Sequence, residues 1–295
     1  MRQKGNSLPR CSLPIRAALS VRLRLFNWRD IYAGTEGKGK IHSFHALRII
    51  FSSQNQSSAN IGTKMIKSLY LQVVNYDRES RKLLEMIGRQ VKQDARILDI
   101  GCGYGRNMDR LSEGGFQNVT GIDINPEIVE ANKARGLKCI GVGDLNDGIG
   151  KFDLMLMSNV VEHFSPFDLK NFIDGYLEFL VPNGFLVIAT PLMSEYFYDD
   201  FDHVKPYQPS GIMQVFGTNK AQIQYYAKNK LVLRDIWFRT GYHRFGFFRA
   251  NYVKSAYRKL LQAAVFCSAF LFFISAGLIG KKDGWVGVFQ KVSVE

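Results

Sequence analysis

Short apolar runs of strand length alternate with helical segments over the central part of the chain. The helical segments begin near Arg106, Pro126 and Pro166. This alternation predicts a parallel sheet with crossover helices. The fourth run is almost continuously apolar, as expected of a central strand that is covered on both faces. The predicted strands span residues 96–100, 119–124, 139–142, 152–157 and 185–189.

The regions on either side extend this pattern. Residues 66–92 repeat apolar side chains at helical spacing, which predicts a helix on one face of the sheet, with a lid over the site as the alternative. A Pro-Asn-Gly turn at 182–184 is predicted to separate a helix that ends near residue 180 from the fifth strand. Residues 231–238 and 285–290 predict two further strands.

A hydrophobic insertion at 242–283 separates the last two predicted strands. Residues 260–280 are almost wholly apolar, and Arg258, Lys259, Lys281 and Lys282 flank them. The length alone would allow a membrane span, but strands that pair on both sides would return both ends to the same side. We therefore expect monotopic membrane contact through 258–282, by an interfacial helix or a re-entrant hairpin. A buried insertion and a dimer interface are the alternatives.

The positive charge of the chain is concentrated at its N-terminus. The 295 residues carry a net charge of +13, and residues 1–64, with eleven basic and two acidic side chains, account for +9. The domain at 65–295 is close to balanced, so charge gives no reason to predict nucleic-acid binding. Residues 1–64 are expected to be a disordered extension. A targeting peptide, a basic membrane arm and an upstream start before Met65 remain alternative interpretations.

The cysteine spacing indicates neither a zinc site nor a disulfide framework. Cys11, Cys102, Cys139 and Cys267 lie far apart in the sequence, and no metal site is predicted. A reducing compartment is the default for such a chain, so we expect a cytoplasmic protein, peripheral on the membrane if the insertion contacts it. Cys102 and Cys139 are predicted to be small buried core residues.

The chemistry centres on a glycine-rich turn between the first strand and its helix. Asp99 ends the strand, and Gly101, Cys102, Gly103 and Gly105 follow in the spacing D-x-G-x-G-x-G. Glycine lets the chain turn sharply and lets a ligand lie against the backbone. Dinucleotide sites use G-x-G-x-x-G, and here an arginine occupies the third glycine position. A carboxylate at this place suits a cationic ligand better than a pyrophosphate, although a dinucleotide-binding reductase remains an alternative.

Polar residues recur where the predicted strands end. Asp123 follows the second strand, Asp144 the third and Asn159 the fourth. The carboxyl ends of parallel strands face one crevice, so these side chains should gather beside Asp99. A carboxylate at Asp123 can accept hydrogen bonds from both hydroxyls of a ribose.

Several motifs recur in order along the central part of the chain. They are LDIGCGYG at 98–105, GID at 121–123, GDL at 143–145, FDL at 152–154, VEHF at 161–164 and LVPNGFL at 180–186. Together they resemble the class I S-adenosylmethionine (SAM) dependent methyltransferases over about residues 76–191, and within that class the small-molecule subgroup that includes the ubiquinone-type O-methyltransferases. The resemblance implies a doubly wound α/β fold, a seven-stranded, mostly parallel Rossmann-like sheet with an antiparallel last strand.

The resemblance implies SAM as the cofactor and a cofactor site made from the strand ends. Asp144 lies where such enzymes hydrogen-bond the adenine amino group, and Ile124, Leu145 and Asn159 are expected to contact the cofactor beside it. The expected set is Asp99, Gly101, Cys102, Gly103, Gly105, Asp123, Ile124, Asp144, Leu145 and Asn159.

The expected reaction is attack by an acceptor on the methyl group of SAM, and a hydroxyl acceptor is favoured over an amine or a carbon. A hydroxyl must lose its proton, and histidine is the usual base near neutral pH. His163 is the main candidate, with a structural role beside Glu162 as its alternative. His203 is the second catalytic candidate, and His203 or Tyr207 in the same stretch is expected to line the acceptor pocket. The predicted acceptor is a small or lipid-linked molecule; a catalytically inactive SAM-binding accessory protein at the membrane is the alternative function.

Overall fold

Seven strands form one sheet in the order β3-β2-β1-β4-β5-β7-β6. The first five strands run parallel, and β7 runs antiparallel to both β5 and β6. This topology confirms the predicted mostly parallel sheet with an antiparallel last strand. The strands are β1 Arg96–Ile100, β2 Asn118–Asp123, β3 Cys139–Gly141, β4 Phe152–Ser158, β5 Leu180–Pro191, β6 Lys230–Gly241 and β7 Lys281–Val292.

Helices connect the strands at the predicted places. The structure is a computed structural model that describes residues 68, 73, 78–218, 222–246 and 256–293, so the extension at 1–64 lies outside the described residues. Within the described ranges the α-helices are α1 Glu79–Gly88, α2 Arg106–Glu113, α3 Pro126–Ala134, α4 Pro166–Leu177, α5 Pro209–Phe216 and α6 Arg258–Ile274.

Local sequence explains where two of the crossover helices begin. The Asn125 side chain accepts a hydrogen bond from the Glu127 N–H ahead of α3, and Ser165 does the same for Asp168 ahead of α4. A proline follows each of these capping residues, at the first helical position, where its missing N–H costs nothing. These caps fix the direction in which the chain leaves the carboxyl ends of β2 and β4.

The hydrophobic core lies on both faces of the central strands. On β1, Leu98 belongs to one cluster and Ile97 to the other; on β4, Met155 and Leu154 divide in the same way. Apolar residues of α1 pack in the second cluster, which agrees with the predicted helix on a sheet face. Burial on both faces explains the continuous apolar pattern of these strands.

The predicted turn at 182–184 is wrong as a boundary. Those residues lie inside β5 as a bulge: Phe152 of β4 pairs with Leu180, and Leu154 pairs with Phe185. Six residues of β5 thus span what three residues of β4 span, and Asn183 takes the left-handed conformation with φ 61°. The preceding helix α4 ends at Leu177, earlier than predicted, because the Phe179 carbonyl accepts the N–H of Phe152.

The hydrophobic insertion forms a helix between two strands that pair with each other. Helix α6 covers Arg258–Ile274, and the register of β6 against β7 brings both ends of the insertion back to the same sheet edge. Ala269 and Phe272 are its buried residues, whereas Leu260 and Ile274 are 68% and 59% exposed. Among the described residues, none of the helices combines the length and apolar character needed to cross a bilayer.

Candidate active site

The strand order changes direction at β1, and the predicted site residues lie at that point. From β1 the chain adds β2 and β3 on one side, and then β4 and β5 on the other. Ligands of open α/β sheets bind in the crevice at the carboxyl ends of the strands beside such a switch. Asp99, Asp123 and Asn159 lie at the carboxyl ends of β1, β2 and β4, so the topology places them along one edge, as predicted.

The glycine turn is held against its neighbours by backbone geometry. Gly101, Gly103 and Gly105 have φ values of 68°, 51° and 79°, in the left-handed region that favours glycine. A Cβ atom at Gly101 would lie 2.7 Å from Val160 Cγ2, and one at Gly105 would lie 2.5 Å from Leu137 Cδ1. At Gly103 nothing lies within 4 Å, so its backbone borders open space at the mouth of the crevice.

Asp123 ties the glycine turn to the end of β2. Its Oδ2 accepts a hydrogen bond from the Gly103 N–H at 3.0 Å, and its Oδ1 accepts one from the Asn125 N–H at 2.9 Å. The side chain is largely buried, with 9% of the residue exposed. The carboxylate is therefore fixed in orientation and retains lone pairs for further donors.

Asp99 is a buried carboxylate with no ion-pair partner in the part of the chain that the structure describes. Only 1% of the residue is exposed, and neither carboxylate oxygen has a hydrogen-bond partner among the described residues. Burial raises its pKa to about 7, and the negative charge of Asp123 adds to the rise, against the opposing effects of Asn107 and Arg106. An unpaired buried carboxylate is costly unless a cationic group completes it, so the site suits an ammonium-bearing ligand.

The other predicted cofactor residues differ in exposure and in the hydrogen bonds that they already make. Ile124 is 38% exposed beside Asp123, and Leu145 is buried. The Asp144 carboxylate accepts the Gly141 N–H at 3.1 Å, so one of its oxygens is occupied by its own loop. Asn159 has a left-handed φ of 54° and donates its N–H to the Ala189 carbonyl at 2.8 Å, which turns the chain sharply after β4.

Cys102 and Cys139 are buried, as predicted, and they are neighbours. Their Sγ atoms lie 3.6 Å apart, and the Asn132 side-chain amide lies 3.7 Å from each sulfur. Burial raises the pKa of the Cys102 thiol, and Cys139 raises it further. Cys102 is therefore a thiol, both cysteines pack between the turn and the sheet, and their proximity could not be read from a spacing of 37 residues.

A second group of polar side chains lies just beyond β4. Glu162 and His163 belong to a 3₁₀ turn at Val161–His163, and His203 comes from a loop that follows Phe197–Asp199. One ligand-type atom from each side chain lies within 4.8 Å of the other two. The two imidazole rings are 5.0 Å apart between centroids. The structure thus brings together both histidines that sequence reasoning selected.

Backbone carbonyls orient the two imidazoles. His163 Nδ1 lies 3.2 Å from the Asp202 carbonyl, and His203 Nδ1 lies 2.6 Å from the Phe197 carbonyl. A carbonyl oxygen only accepts, so each Nδ1 carries the proton and each Nε2 keeps its lone pair when the ring is neutral. The suggested partnership between His163 and Glu162 is not what holds the ring.

Glu162 and Thr190 are the members of this group that sequence reasoning missed as site residues. Glu162 is fully buried; its Oε2 accepts the Thr190 hydroxyl at 2.9 Å, and its Oε1 has no partner among the described residues. Burial raises its pKa to about 7. The one sequence signal was the position of Glu162 beside His163 at a strand end.

Tyr207 supports this group through hydrogen bonds of both its hydroxyl and its backbone carbonyl. The hydroxyl donates to the Phe164 carbonyl at 3.0 Å, and the Tyr207 carbonyl accepts the indole N–H of the fully buried Trp285 at 2.8 Å. These hydrogen bonds give Tyr207 a positioning role, and the expectation that His203 or Tyr207 lines the acceptor pocket stays a prediction. Tyr207 links the loop after His163 to β7.

Comparison with known proteins agrees with the motifs and the topology. A family model described as a methyltransferase domain matches residues 74–242, more than half of the chain. The ubiquinone biosynthesis O-methyltransferase of Caulobacter sp. (strain K31) is 32% identical over 113 residues, which are 35% of this chain and 43% of that protein. The N-terminal Xaa-Pro-Lys N-methyltransferase 1 of Mus musculus is 27% identical over 147 residues, 45% of this chain and 66% of that protein.

The matched region spans less than half the length of that Caulobacter relative. A solved structure of a SAM-dependent methyltransferase from Archaeoglobus fulgidus is similar over 76% of this chain and 99% of its own, with 19% identity and a TM-score of 0.44. The chain belongs to the methyltransferase domain family, and its fold and motifs are those of the class I SAM-dependent methyltransferases.

Proposed function

We propose that this chain transfers a methyl group from SAM to a hydroxyl of a small or lipid-linked acceptor. The observation that carries the proposal is the contact between the two halves of the site. Val160 packs where a side chain at Gly101 would lie, and the Glu162–His163 pair follows two residues later. The cofactor turn and the histidines are therefore adjacent, as a transfer between two bound molecules requires.

The cofactor half is assigned to the strand-end residues. Asp123 accepts the ribose hydroxyls, the open backbone at Gly103 lies against the cofactor, and Asp99 faces the ammonium. Bound SAM supplies an activated methyl group on a sulfonium. The remaining expected contacts are Gly101, Cys102, Gly105, Ile124, Asp144, Leu145 and Asn159.

The acceptor half is assigned to the two histidines. Each presents an Nε2 lone pair, because a backbone carbonyl takes the Nδ1 proton. Such a pair can promote ionisation of a hydroxyl in two ways. An imidazole can accept the proton directly, or the two imidazoles can coordinate a cation. A neutral amine acceptor would need neither, so two imidazoles with free Nε2 lone pairs favour a hydroxyl acceptor.

Helix α6 supports a lipid-linked acceptor. Leu260, Ile274 and Leu278 are exposed, and basic residues flank the segment at Arg258 and Lys281. Apolar side chains between cations are typical of a helix that lies in the interface of an anionic membrane. We place this face against the membrane surface, from which a lipid-linked acceptor would enter.

Gly103 and Gly136 form a matched pair for testing the cofactor turn. Both have positive φ, 51° and 82°, and a Cβ atom at either would meet nothing within 4 Å. Alanine at each position should destabilise the fold by a similar amount, about 1 kcal/mol for the left-handed conformation. Only Gly103→Ala should also weaken binding of S-adenosylhomocysteine (SAH), by roughly tenfold, because its methyl group fills the open space. Calorimetry would contradict the assignment if both variants bound SAH equally.

Asp99 should make SAH binding depend on pH. With a folded-state pKa of about 7, the group is mostly neutral at pH 6 and mostly ionised at pH 8. The ammonium of SAH favours the ionised form, so affinity should rise about tenfold over this interval and level off above it. Calorimetry in buffers of different ionisation enthalpy should show release of close to one proton at pH 6. Asp99→Asn should bind more weakly with a flat profile; an unchanged slope in that variant would contradict the prediction.

Product analysis tests the proposed function. The full chain is incubated with methyl-labelled SAM and matched phenols and anilines, with and without a prenyl tail, in detergent or in anionic vesicles. We expect an O-methyl product, with the prenylated phenol in vesicles methylated fastest and high salt removing that advantage. An N-methyl product would overturn the hydroxyl assignment. SAH binding without turnover of any acceptor would overturn the enzymatic proposal in favour of an accessory protein.

A further inference from the structure

We propose that Glu162, His163 and His203 form a binding site for a divalent first-row transition-metal cation. Two imidazoles and one carboxylate are a ligand set that such ions accept, with open positions left for other ligands. One ligand atom from each of the three side chains already lies within 4.8 Å of the others. Atoms bound to one ion at 2.0–2.2 Å lie at most about 4.4 Å apart, so small side-chain rotations complete the site.

The buried carboxylate supplies independent support for a cation. Glu162 is fully buried, its Oε2 is satisfied by the Thr190 hydroxyl, and its Oε1 has no partner among the described residues. An orphan carboxylate oxygen in the protein interior is costly unless a donor or an ion completes it. Thr190 also fixes the orientation of the carboxylate, as hydrogen-bond partners of metal ligands commonly do.

The histidines have the hydrogen-bond arrangement of metal ligands. Each donates its Nδ1–H to a backbone carbonyl, His163 to Asp202 and His203 to Phe197. This fixes the tautomer and leaves Nε2 available for coordination. The ring contact between Phe197 and His203, 4.5 Å between centroids, further limits rotation of the imidazole.

The charges around the cluster favour a cation on balance. The Asp200 carboxylate lies 3.7 Å from His203 Nε2 and adds negative charge on the open side. Arg239 is near enough to influence Glu162, but it is paired with Glu79 and Asp283. Two carboxylates therefore face the site, and the nearby cation is neutralised by its own partners.

The position of the site suggests a role for the ion in methyl transfer. Only this role, and not the metal site itself, rests on the proposed function. The cluster follows Val160, which packs on the cofactor turn. A cation here would lower the pKa of an acceptor hydroxyl that docks beside it. The hydroxyl proton passes to solvent, the oxygen forms the new C–O bond, and the sulfur keeps the electron pair of the broken S–C bond. No oxidant or reductant is required.

Cobalt binding tests the site without reference to turnover. The full chain is freed of metal with a chelator and titrated with Co²⁺, monitored by visible absorption and calorimetry. We expect one Co²⁺ ion per chain. The Co²⁺ affinity of Glu162→Gln and of His203→Gln should be weaker by about tenfold to a hundredfold. His243→Gln is the matched control, because His243 is exposed and its backbone N–H bonds to Ser268 away from the cluster. SAH calorimetry on each variant confirms that it is folded.

The outcomes separate this site from the proposed function. Failure of the folded wild type to bind Co²⁺, or equal binding by all variants, would overturn the metal site. Full methyl transfer by metal-free protein would overturn the role of the ion in the reaction while the methyltransferase proposal stands. Stoichiometric Co²⁺ binding that depends on Glu162 and His203, together with chelator-sensitive methyl transfer, is the result we expect.

Discussion

Replacing Asp123 with alanine is expected to weaken SAH binding about a hundredfold. The carboxylate is fixed by two backbone N–H groups, from Gly103 and Asn125, and it retains lone pairs for further donors. Loss of charge-assisted hydrogen bonds to the ribose hydroxyls should cost about 3 kcal/mol. Calorimetric titration with SAH measures this directly.

Two further variants show whether the loss reflects the ligand or the turn. Asp123→Asn keeps the shape of the side chain and one acceptor oxygen, so it should hold the turn better and still bind SAH more weakly than the wild type. Asp147→Ala removes an exposed carboxylate from a nearby loop and should leave SAH affinity unchanged. Equal SAH affinity for Asp123→Ala and the wild type would show that the ribose lies elsewhere.

The second large effect is expected at His163. His163→Gln should lower kcat for an O-methyl acceptor by about a hundredfold or more, with SAH affinity unchanged. Glutamine offers no basic nitrogen in place of Nε2, whether that atom takes the proton itself or holds a cation. The measurement is steady-state kinetics with the labelled acceptor that the product analysis selects.

The control for this variant is again His243→Gln, which should retain the wild-type kcat. Thermal unfolding of both variants checks that the loop after β4 remains folded. A kcat for His163→Gln within threefold of the wild-type value would show that His163 has a structural role and does not promote the reaction. The acceptor proton would then leave by another route.

The central sheet could be predicted from the sequence because the signals for its strands and helices are local. The strand at Arg96–Ile100 is predicted at its observed bounds, and α3 begins at Pro126, where a capping residue and a proline adjoin. Strand β7 was also predicted, although its full length, Lys281–Val292, and its place inside the sheet between β5 and β6 were not. Its outer residues alternate weakly, and pairing with β5 and β6 on both sides extends the strand.

The rest of the structure depends on contacts between distant parts of the chain. The bulge at Asn183 looks like an ordinary turn until the register of β5 against β4 is known. The cluster of Glu162 and His203 spans 41 residues, and only the loop after Phe197–Asp199 brings the two together. The adjacency of Cys102 and Cys139 likewise follows from the pairing of β2 with β3. The sequence pattern indicates which chemical groups a site can contain. Tertiary packing decides which of these groups lie next to one another.

The most direct test of the account is calorimetric titration of the wild-type full chain with SAH, with NAD in parallel. The open backbone at Gly103 and the unpaired carboxylate of Asp99 favour a ligand with an ammonium over one with a pyrophosphate. We predict that SAH binds at one site per chain and that NAD does not bind. Tight NAD binding, or no SAH binding by folded protein, would contradict the account and return the glycine turn to the dinucleotide interpretation.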